Sequence, residues 1–261
     1  MDASHIERYG DELYEALRER VTVEPLTTRA PGITIADAYW ISRHLLARRL
    51  SDGERLVGKK IGVTSAAVQD MLDVRQPDFG YLTDRMRYVD GDEMPISREL
   101  IQPRAEGELA FILKKELRGP GIGHAEVLAA TEAVAPCFEI VDSRIRDWKI
   151  RIADTIADNA SSGLFLLGAA RVDPHHLDLP SLQMIVEKNG RVISRGTGAA
   201  ALGSPLTCVA WLANTLGEFG IPLAAGEVVL SGSWVPLERV VAGDEMKLTI
   251  EGLGTASVRF S

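Results

Sequence analysis

The sequence predicts a single α+β domain in which a layer of helices at the N-terminus precedes a strand-rich body. Apolar residues recur at helical spacing over the first fifty residues, whereas from Val57 onward short apolar runs alternate with Gly, Pro and Asp. No internal repeat or flexible linker divides the 261 residues, and a chain of this length buries a large hydrophobic core. We therefore expect one domain over residues 1–261, made of a helical region (1–56) and a strand-rich body (57–261).

Two amphipathic helices are predicted in the N-terminal region. Tyr9 and Leu13 belong to an apolar face that repeats at helical spacing over the first twenty residues, and charged residues occupy the opposite face. Thr34 followed by Asp37 resembles a capping box, which predicts that a second helix begins near Thr34. The helical pattern ends at Gly53, where a glycine is typical of a helix end.

Most of the remaining sequence has strand character, because runs rich in apolar and β-branched residues are bounded by turn residues. Asn189-Gly190 lies between two such runs and is typical of a two-residue hairpin turn. The predicted strands cover residues 56–65, 76–82, 100–113, 136–143, 164–168, 183–195, 227–232 and 246–260.

Two further helices are expected between these strands. One is predicted over residues 124–134, after a glycine-rich turn at 119–123. The other is predicted over residues 204–219, with Ser204 as its N-cap and Pro205 at the first helical position.

The composition argues against nucleic-acid binding. The chain has 29 Lys and Arg against 37 Asp and Glu, which gives a formal net charge of −8. No cluster of basic residues is present to neutralise a polyanion. Cys137 and Cys208 lie in apolar runs and form no CxxC pair, as expected of buried thiols in a reducing compartment.

Neither a secretory signal nor a membrane span is predicted. The N-terminal residues are charged from Asp2 and lack the apolar stretch of a signal peptide. Residues 196–217 are uncharged, but their Gly, Pro, Ser, Thr and Asn content is too polar for a span. We expect a cytoplasmic protein that binds no membrane.

Three carboxylates form the most informative group of polar residues. Glu106 and Glu108 lie on one face of a predicted strand, and Glu139 lies in the next strand. Carboxylates about 7 Å apart on one strand face repel each other unless solvent, protons, cations or a metal ion compensate them. Oxygen ligands without a His/Cys set favour Mg²⁺ or Mn²⁺ over Zn²⁺. The spacing alone favours a solvent-facing polar stripe over a metal site.

Other polar residues are candidates for the same site. Lys60 belongs to a lysine pair in an apolar run, where a buried lysine would be paired or functional and an exposed one would be ordinary surface. Asp78 lies in a Pro- and Gly-containing turn that would hold its carboxylate in place. Ser161 and Ser162, in the DNASSG segment (158–163), are suited either to donate hydrogen bonds to a substrate carboxylate or, for Ser161, to cap a helix.

Other catalytic patterns are missing from the sequence. The five histidines show neither HxxxH nor HExxH spacing, and no G-x-S-x-G elbow or Walker sequence is present. The glycines at 119–123 lack the strand-turn-helix context of a nucleotide site. Histidine-based metal sites, serine hydrolase chemistry and nucleotide binding are therefore not expected.

Several ordered motifs together resemble the hydratase/decarboxylase family of aromatic meta-cleavage pathways. The resemblance covers essentially the whole chain, including the N-terminal DELYEALRER and the later VVLSGSWVPLERV. The other motifs that carry it are GKKIGVTS (58–65), QPDFGYL (76–82), IQPRAEGELAFIL (101–113), FEIVDSRI (138–145), DTIADNASSGLF (154–165), ALGSP (201–205) and GLGTASVRF (252–260). Their order and separation are more specific than any one motif.

The resemblance implies a mixed β-sheet roll with flanking helices, like the C-terminal domain of fumarylacetoacetate hydrolase. It also implies a divalent metal ion, Mg²⁺ or Mn²⁺, bound by the three carboxylates Glu106, Glu108 and Glu139. Lys60 and Asp78 match family positions that line the active site, and they are the candidates for acid and base catalysis. The resemblance also implies that Ser161, in the DNASSG segment, contacts the substrate.

The activity implied by the resemblance is metal-dependent hydration of 2-hydroxypenta-2,4-dienoate to 4-hydroxy-2-oxopentanoate, a hydro-lyase reaction. One alternative is metal-dependent decarboxylation of 2-oxohex-3-enedioate (4-oxalocrotonate), and another is a non-catalytic partner subunit of that decarboxylase. The resemblance also implies that Gly163 and the apolar run 234–236 suit a small substrate with a terminal vinyl group better than a dicarboxylate. The resemblance further implies a homo-oligomer and a complex with the decarboxylase.

Overall fold

The computed structural model describes the backbone of residues 1–261 and the side chains of all of them except positions 66, 67 and 71. The helices are α1 (Ala3–Glu19), α2 (Leu26–Arg29), α3 (Ile35–Ser51), α4 (Ala66–Leu72), α5 (Ile96–Glu99), α6 (His124–Ala130), α7 (Ile152–Ala157) and α8 (Pro205–Gly217). The strands are β1 (Leu56–Gly62), β2 (Asp78–Thr83), β3 (Arg87–Val89), β4 (Glu93–Met94), β5 (Arg104–Leu113), β6 (Thr131–Val141), β7 (Ser162–Leu167), β8 (Gln183–Lys188), β9 (Arg191–Thr197), β10 (Val228–Leu230), β11 (Glu238–Arg239), β12 (Glu245–Ile250) and β13 (Gly254–Phe260).

The N-terminal helices form a small hydrophobic core of their own with α7. Leu13 of α1, Ile41 of α3 and Ile156 of α7 are fully buried in this cluster. The predicted capping box is confirmed, because the Asp37 backbone N donates to Thr34 Oγ1 at 3.1 Å and the Thr34 backbone N donates to Asp37 Oδ2 at 3.0 Å. The helical layer therefore anchors α7, which leads directly into the DNASSG segment.

The body contains two mixed sheets. The larger sheet has the strand order β2-β1-β10-β5-β6-β7-β3, with β11 paired to β5. In this sheet β1 pairs with β10 and β3 pairs with β7 in parallel, whereas the other neighbours are antiparallel. The smaller sheet has the order β4-β13-β12-β8-β9. The mixture of helices with mixed sheets confirms the predicted α+β class.

The larger sheet is rolled, so that β2 at one edge approaches β7 near the other edge. The strand register puts Lys60 opposite Gly80 on β2 and Leu230 on β10, and it puts Glu106 opposite Glu139. Because side chains alternate along a strand, these polar residues share the inner face of the roll. The rest of that face is filled by a buried apolar cluster comprising Leu82, Met86, Ala110, Cys137, Phe165, Leu167, Val228 and Leu230.

The outer face of the roll is also covered. Leu109 and Phe111 of β5 pack in the main core with Leu212 of α8 and Val258 of the smaller sheet. Strand β5 is therefore buried on both sides, which is typical of a sheet with layers against each face. The interpretation of Glu106 and Glu108 as a solvent-facing stripe is consequently wrong for Glu108, which has no exposed surface.

One predicted helix is shorter than expected. The helix predicted over 124–134 ends at Ala130, and β6 begins at Thr131. Residues 131–135 pair with the end of β5, and their register runs from Thr131 opposite Leu113 to Ala135 opposite Ala110. Sheet pairing here overrides the local helical pattern.

The other turn and helix signals are confirmed. Asn189 and Gly190, with φ of 51° and 74°, connect β8 and β9 in a hairpin. Ser204 caps α8, with its side chain accepting from the Leu206 backbone N. Within the part of the chain that the structure describes, one stretch, Gly198–Gly217, which includes α8 and the turns before it, is long and apolar enough to cross a membrane by length and composition. Of its apolar 18-residue window, 56% is buried inside the protein, as in a core helix.

Candidate active site

The three predicted metal-ligating carboxylates meet on the inner face of the roll. Glu106 and Glu139 are direct cross-strand partners on β5 and β6, and Glu108 follows two residues later on β5. One oxygen from each side chain lies within 4.8 Å of the other two. Glu108 and Glu139 are buried, whereas Glu106 is half-buried.

The oxygens of this cluster have few hydrogen-bond partners among the described residues. Glu108 Oε2 accepts from the Gly232 backbone N at 2.9 Å. Glu108 Oε1 and both carboxylate oxygens of Glu139 are buried without a hydrogen bond. Buried carboxylate oxygens without partners are costly, so this arrangement calls for a compensating group.

Lys60 supplies one positive charge to the cluster. Its side chain is 3% exposed, and its Nζ lies 3.2 Å from Glu139 Oε1. Burial lowers the pKa of Lys60, but the nearby carboxylates of Glu139 and Asp78 outweigh that effect and raise the pKa above its ordinary value. Lys60 is thus a buried ammonium group, and the surface-lysine interpretation is wrong.

Asp78 lies next to Lys60 at the beginning of β2. It is opposite Gly62 of β1, and its Oδ1 is buried without a hydrogen bond. A Cβ on Gly62 would lie 2.4 Å from Asp78 Oδ1 and 3.2 Å from Lys60 Nζ, so only glycine leaves room for both groups. Burial raises the pKa of Asp78, and Lys60 partly opposes the shift.

The electrostatics of the cluster show an excess of negative charge. Burial, together with Glu139, raises the pKa of Glu106 to about 8. Burial and the other two glutamates raise the pKa of Glu108 well above its ordinary value, and burial also raises that of Glu139 against the influence of Lys60. Four carboxyl groups therefore share one ammonium group, and they cannot all be ionised without another cation.

The residues present fit a hard divalent cation. All three clustered ligands are carboxylates, their oxygens converge, and several of those oxygens lack another partner. Mg²⁺ and Mn²⁺ prefer such oxygen ligands, and both leave coordination positions for water or substrate. The acidic cluster is therefore the candidate metal site, with Lys60 and Asp78 beside it.

Ser161 is linked to this group through Thr155. It lies in the tight turn Asn159–Ser161, whose three residues have φ between 50° and 54°. Its Oγ lies 3.2 Å from Thr155 Oγ1 on α7. The hydroxyl of Thr155 in turn lowers the pKa of Asp78, although burial and Lys60 act on it more strongly.

Sequence reasoning missed the residue that holds this turn. Arg144 is fully buried, pairs with the Asp158 carboxylate, and donates from Nη1 to the backbone oxygens of Asp142 and Ser162 at 2.6 and 2.8 Å. Burial raises the pKa of Asp158 to about 6, with Arg144 opposing the shift. Both residues lie in motifs that carry the family resemblance, which was the only signal available, because an arginine in sequence gives no indication of burial.

Comparison with known proteins identifies the family of this chain and its relatives. The family model for the fumarylacetoacetate (FAA) hydrolase C-terminal region matches residues 57–261. A 2-hydroxyhexa-2,4-dienoate hydratase of Comamonas testosteroni is 58% identical over 261 residues, which is 100% of this chain and 99% of that protein. A 2-hydroxypent-2,4-dienoate hydratase of Pseudomonas putida is 66% identical over 221 residues, which is 85% of this chain and 100% of that protein.

The structural comparison agrees with the sequence comparison. The 4-oxalocrotonate decarboxylase from Pseudomonas putida G7, complexed with magnesium and adipate, has a TM-score of 0.97 and 34% identity, and the match covers 100% of this chain and 99% of that chain. The predicted β-roll fold is thereby confirmed. The chain belongs to the fumarylacetoacetate hydrolase C-terminal family.

Proposed function

We propose that this protein is a metal-dependent hydratase that converts 2-hydroxypenta-2,4-dienoate to 4-hydroxy-2-oxopentanoate in the meta-cleavage catabolism of aromatic compounds. The observation that carries the proposal is the convergence of Glu106, Glu108 and Glu139 beside the buried Lys60. The two relatives named as hydratases of 2-hydroxydienoates, at 58% and 66% identity, support this reaction over others in the family.

The three glutamates would hold Mg²⁺ or Mn²⁺. When bound, the ion would supply Lewis acidity toward the C2 oxygen of the substrate. The related decarboxylase, whose structure contains magnesium and adipate, supports a magnesium site in this fold. Glu108 Oε1 and Glu139 Oε2, which are buried without a hydrogen bond, would gain a charged partner from the ion.

We assign the proton transfers to Lys60 and Asp78. The dienol must lose the proton of its 2-hydroxyl group and gain one at C5, which gives an α,β-unsaturated ketone. Water then adds its oxygen at C4, and a proton is delivered to C3. Lys60 is a protonated donor within 3.2 Å of Glu139, and burial raises the pKa of the neighbouring Asp78, so the pair places a proton donor beside a carboxyl group that can hold a proton.

Ser161 is assigned to substrate contact. Its hydroxyl and that of Thr155 form a pair at 3.2 Å, in which one hydroxyl proton is shared and the other is free to bind an oxygen of the substrate. Contact with Ser161 would hold the substrate in one orientation, and a fixed orientation favours proton transfer to C5 over transfer to its other carbon atoms.

Decarboxylation of 4-oxalocrotonate is the second candidate, because the related decarboxylase has nearly the same fold. The higher identity to the hydratases favours hydration. Each substrate is incubated with purified protein and Mg²⁺, while the dienol absorbance and released CO₂ are followed. We expect loss of the dienol absorbance without gas, and loss of that activity in EDTA.

The same experiment tests the proposal against its alternatives. Release of CO₂ from 4-oxalocrotonate with no hydration would contradict the hydratase assignment. Turnover of neither substrate would favour a non-catalytic partner subunit. We further propose a cytoplasmic homo-oligomer that associates with a 4-oxalocrotonate decarboxylase, which light scattering of the protein alone and mixed with the decarboxylase would test.

A further inference from the structure

We propose that the Ser162 hydroxyl is a second substrate-binding group, which donates a hydrogen bond to a carboxylate oxygen of the bound 2-oxo acid. This inference rests on the proposed function and adds a specific residue to it. Ser162 is the first residue of β7 and directly follows the tight turn that ends at Ser161.

The position of Ser162 is given by its contact with β2. A Cβ placed on Gly80 would lie 2.8 Å from Ser162 Oγ. Gly80 is the strand partner of Lys60 and lies two residues after Asp78. The Ser162 hydroxyl therefore lies against the part of β2 that borders the proposed catalytic pair.

The hydroxyl of Ser162 has no partner although it is buried. The residue is 1% exposed, and its Oγ has no hydrogen bond within the described part of the chain. By contrast, the neighbouring Ser161 hydroxyl already contacts Thr155. Leaving a buried hydroxyl unpaired costs stability, so its presence at this site indicates a partner that arrives with the ligand.

The backbone of Ser162 is held independently of its side chain. Its carbonyl oxygen accepts from Arg144 Nη1 at 2.8 Å. Because Arg144 also pairs with Asp158 before the turn, the chain on both sides of the turn is fixed by one guanidinium group. The backbone therefore fixes where the Ser162 side chain begins, and removal of the hydroxyl should affect ligand binding without moving the backbone.

The test measures binding of 2-oxopentanoate, a saturated 2-oxo acid with no double bond to hydrate, to the Mg²⁺-loaded protein by calorimetry. Ser162→Ala is compared with Ser42→Ala, because Ser42 of α3 is the other described serine with a buried, unpartnered Oγ. We expect Ser162→Ala to weaken 2-oxopentanoate binding roughly tenfold or more, the loss typical of a hydrogen bond to a charged group. Ser42→Ala should bind it like the wild type.

Unchanged 2-oxopentanoate affinity and unchanged KM for the dienoate in Ser162→Ala would overturn the inference. An equal loss in Ser42→Ala would also overturn it, since both losses would then reflect a general effect on folding. If Ser162→Ala does not fold, Ser162→Cys, a similar-sized weak donor, replaces it and should give a smaller loss in the same direction. If the wild type hydrates the dienoate and the Ser162 variants keep wild-type affinity for 2-oxopentanoate and wild-type KM, only this inference fails. Absence of wild-type turnover overturns the proposed function as well.

Discussion

Two adjacent lysines on β1 show how the side of a strand determines the role of a residue. Lys59 points to the outer face, where its Nζ lies 2.6 and 2.7 Å from the two carboxylate oxygens of Glu227. Lys60 points to the inner face and the acidic cluster. Both are buried, but the first forms one matched ion pair and the second faces several carboxylates.

Lys60→Met should lower kcat by roughly a hundredfold to ten-thousandfold, the usual range for loss of a group that transfers protons. Methionine fills most of the space of the lysine stem but carries no proton to exchange. Binding of Mg²⁺ should persist or tighten, because the ammonium group 3.2 Å from Glu139 is gone. Steady-state kinetics and calorimetric Mg²⁺ titration measure the two effects separately.

Lys59→Met is the matched control for that change. It leaves the Glu227 carboxylate buried without its lysine, which typically costs about 3–5 kcal/mol of folding free energy. We expect lower stability in chemical unfolding and near-normal kcat per folded molecule. Near-normal turnover in Lys60→Met would show that Lys60 does not move protons.

Glu106→Gln should abolish turnover and Mg²⁺ binding while the protein stays folded. Glutamine keeps the shape of the side chain but removes one ionised ligand. Because burial and Glu139 raise the pKa of Glu106 to about 8, its ionised form is disfavoured in the metal-free fold, so in EDTA at pH 8 or above the neutral glutamine variant should melt at the same or a higher temperature. Full activity of the variant after metal removal would contradict the role of Glu106.

At this scale, the sequence identified the residue types but not their surroundings. The spacing of Glu106, Glu108 and Glu139 and the family resemblance together pointed to a metal site, and these carboxylates do converge. The difference between Ser161 and Ser162 was not predictable, because it depends on which hydroxyl meets Thr155 and which meets β2.

Among the elements, strand β5 departs most from its sequence pattern. Alternation predicted one apolar face and one polar face, and the apolar face does pack in the core. The polar face is buried as well, because the sheet rolls and brings distant strands over it. Local alternation cannot reveal such closure, since closure depends on pairing between segments far apart in the chain. The end of α6 has the same cause: residues 131–134 were predicted to be helical, but they belong to β6 because they pair with β5.

The turn Asn159–Ser161 is held by the Arg144–Asp158 ion pair beside it and by the Asn159 side chain, which forms two hydrogen bonds with the Tyr81 backbone on β2. Its three left-handed residues are strained for non-glycine side chains. Arg144→Met should destabilise the protein by about 3–5 kcal/mol, because Asp158 is left buried without its cation. Urea unfolding of the two single variants and of the double variant with Asp158→Asn would give the coupling between them.

An exposed pair provides the comparison for that prediction. Arg259 and Glu245 form an ion pair whose side chains are more than half exposed. Arg259→Met should change stability by at most about 1 kcal/mol, because water screens such pairs. A loss of similar size in both arginine variants would mean that burial of Arg144 is not what stabilises the turn.

Over the whole molecule, we expect residues 1–261 to unfold in one transition whose midpoint depends on metal and pH. The Glu106 pKa rises from an ordinary 4.5 to about 8 in the metal-free fold. The folded chain then holds a proton that the unfolded chain releases, so the free energy of unfolding should fall as pH rises from about 4.5 to 8 in EDTA.

Adding Mg²⁺ should reverse this loss, by about 2.7 kcal/mol at a free concentration one hundredfold above Kd. Melting curves at several pH values, with EDTA or Mg²⁺, would measure both effects, and Glu106→Gln should show a smaller dependence on pH and no response to Mg²⁺. A wild-type midpoint that is independent of both pH and Mg²⁺ would contradict this account of the acidic cluster.

The place of β10 in the larger sheet also has a consequence for biosynthesis. Strand β10, which ends at Leu230, lies between β1 and β5, so the sheet that carries both Lys60 and the glutamates is continuous only when β10 is in place. A ribosome translating this message must therefore pass Leu230, which lies 170 residues after Lys60, before the lysine and the acidic trio can be joined in one sheet. Shorter nascent chains lack β10, and they should show neither the assembled site nor its reactivity.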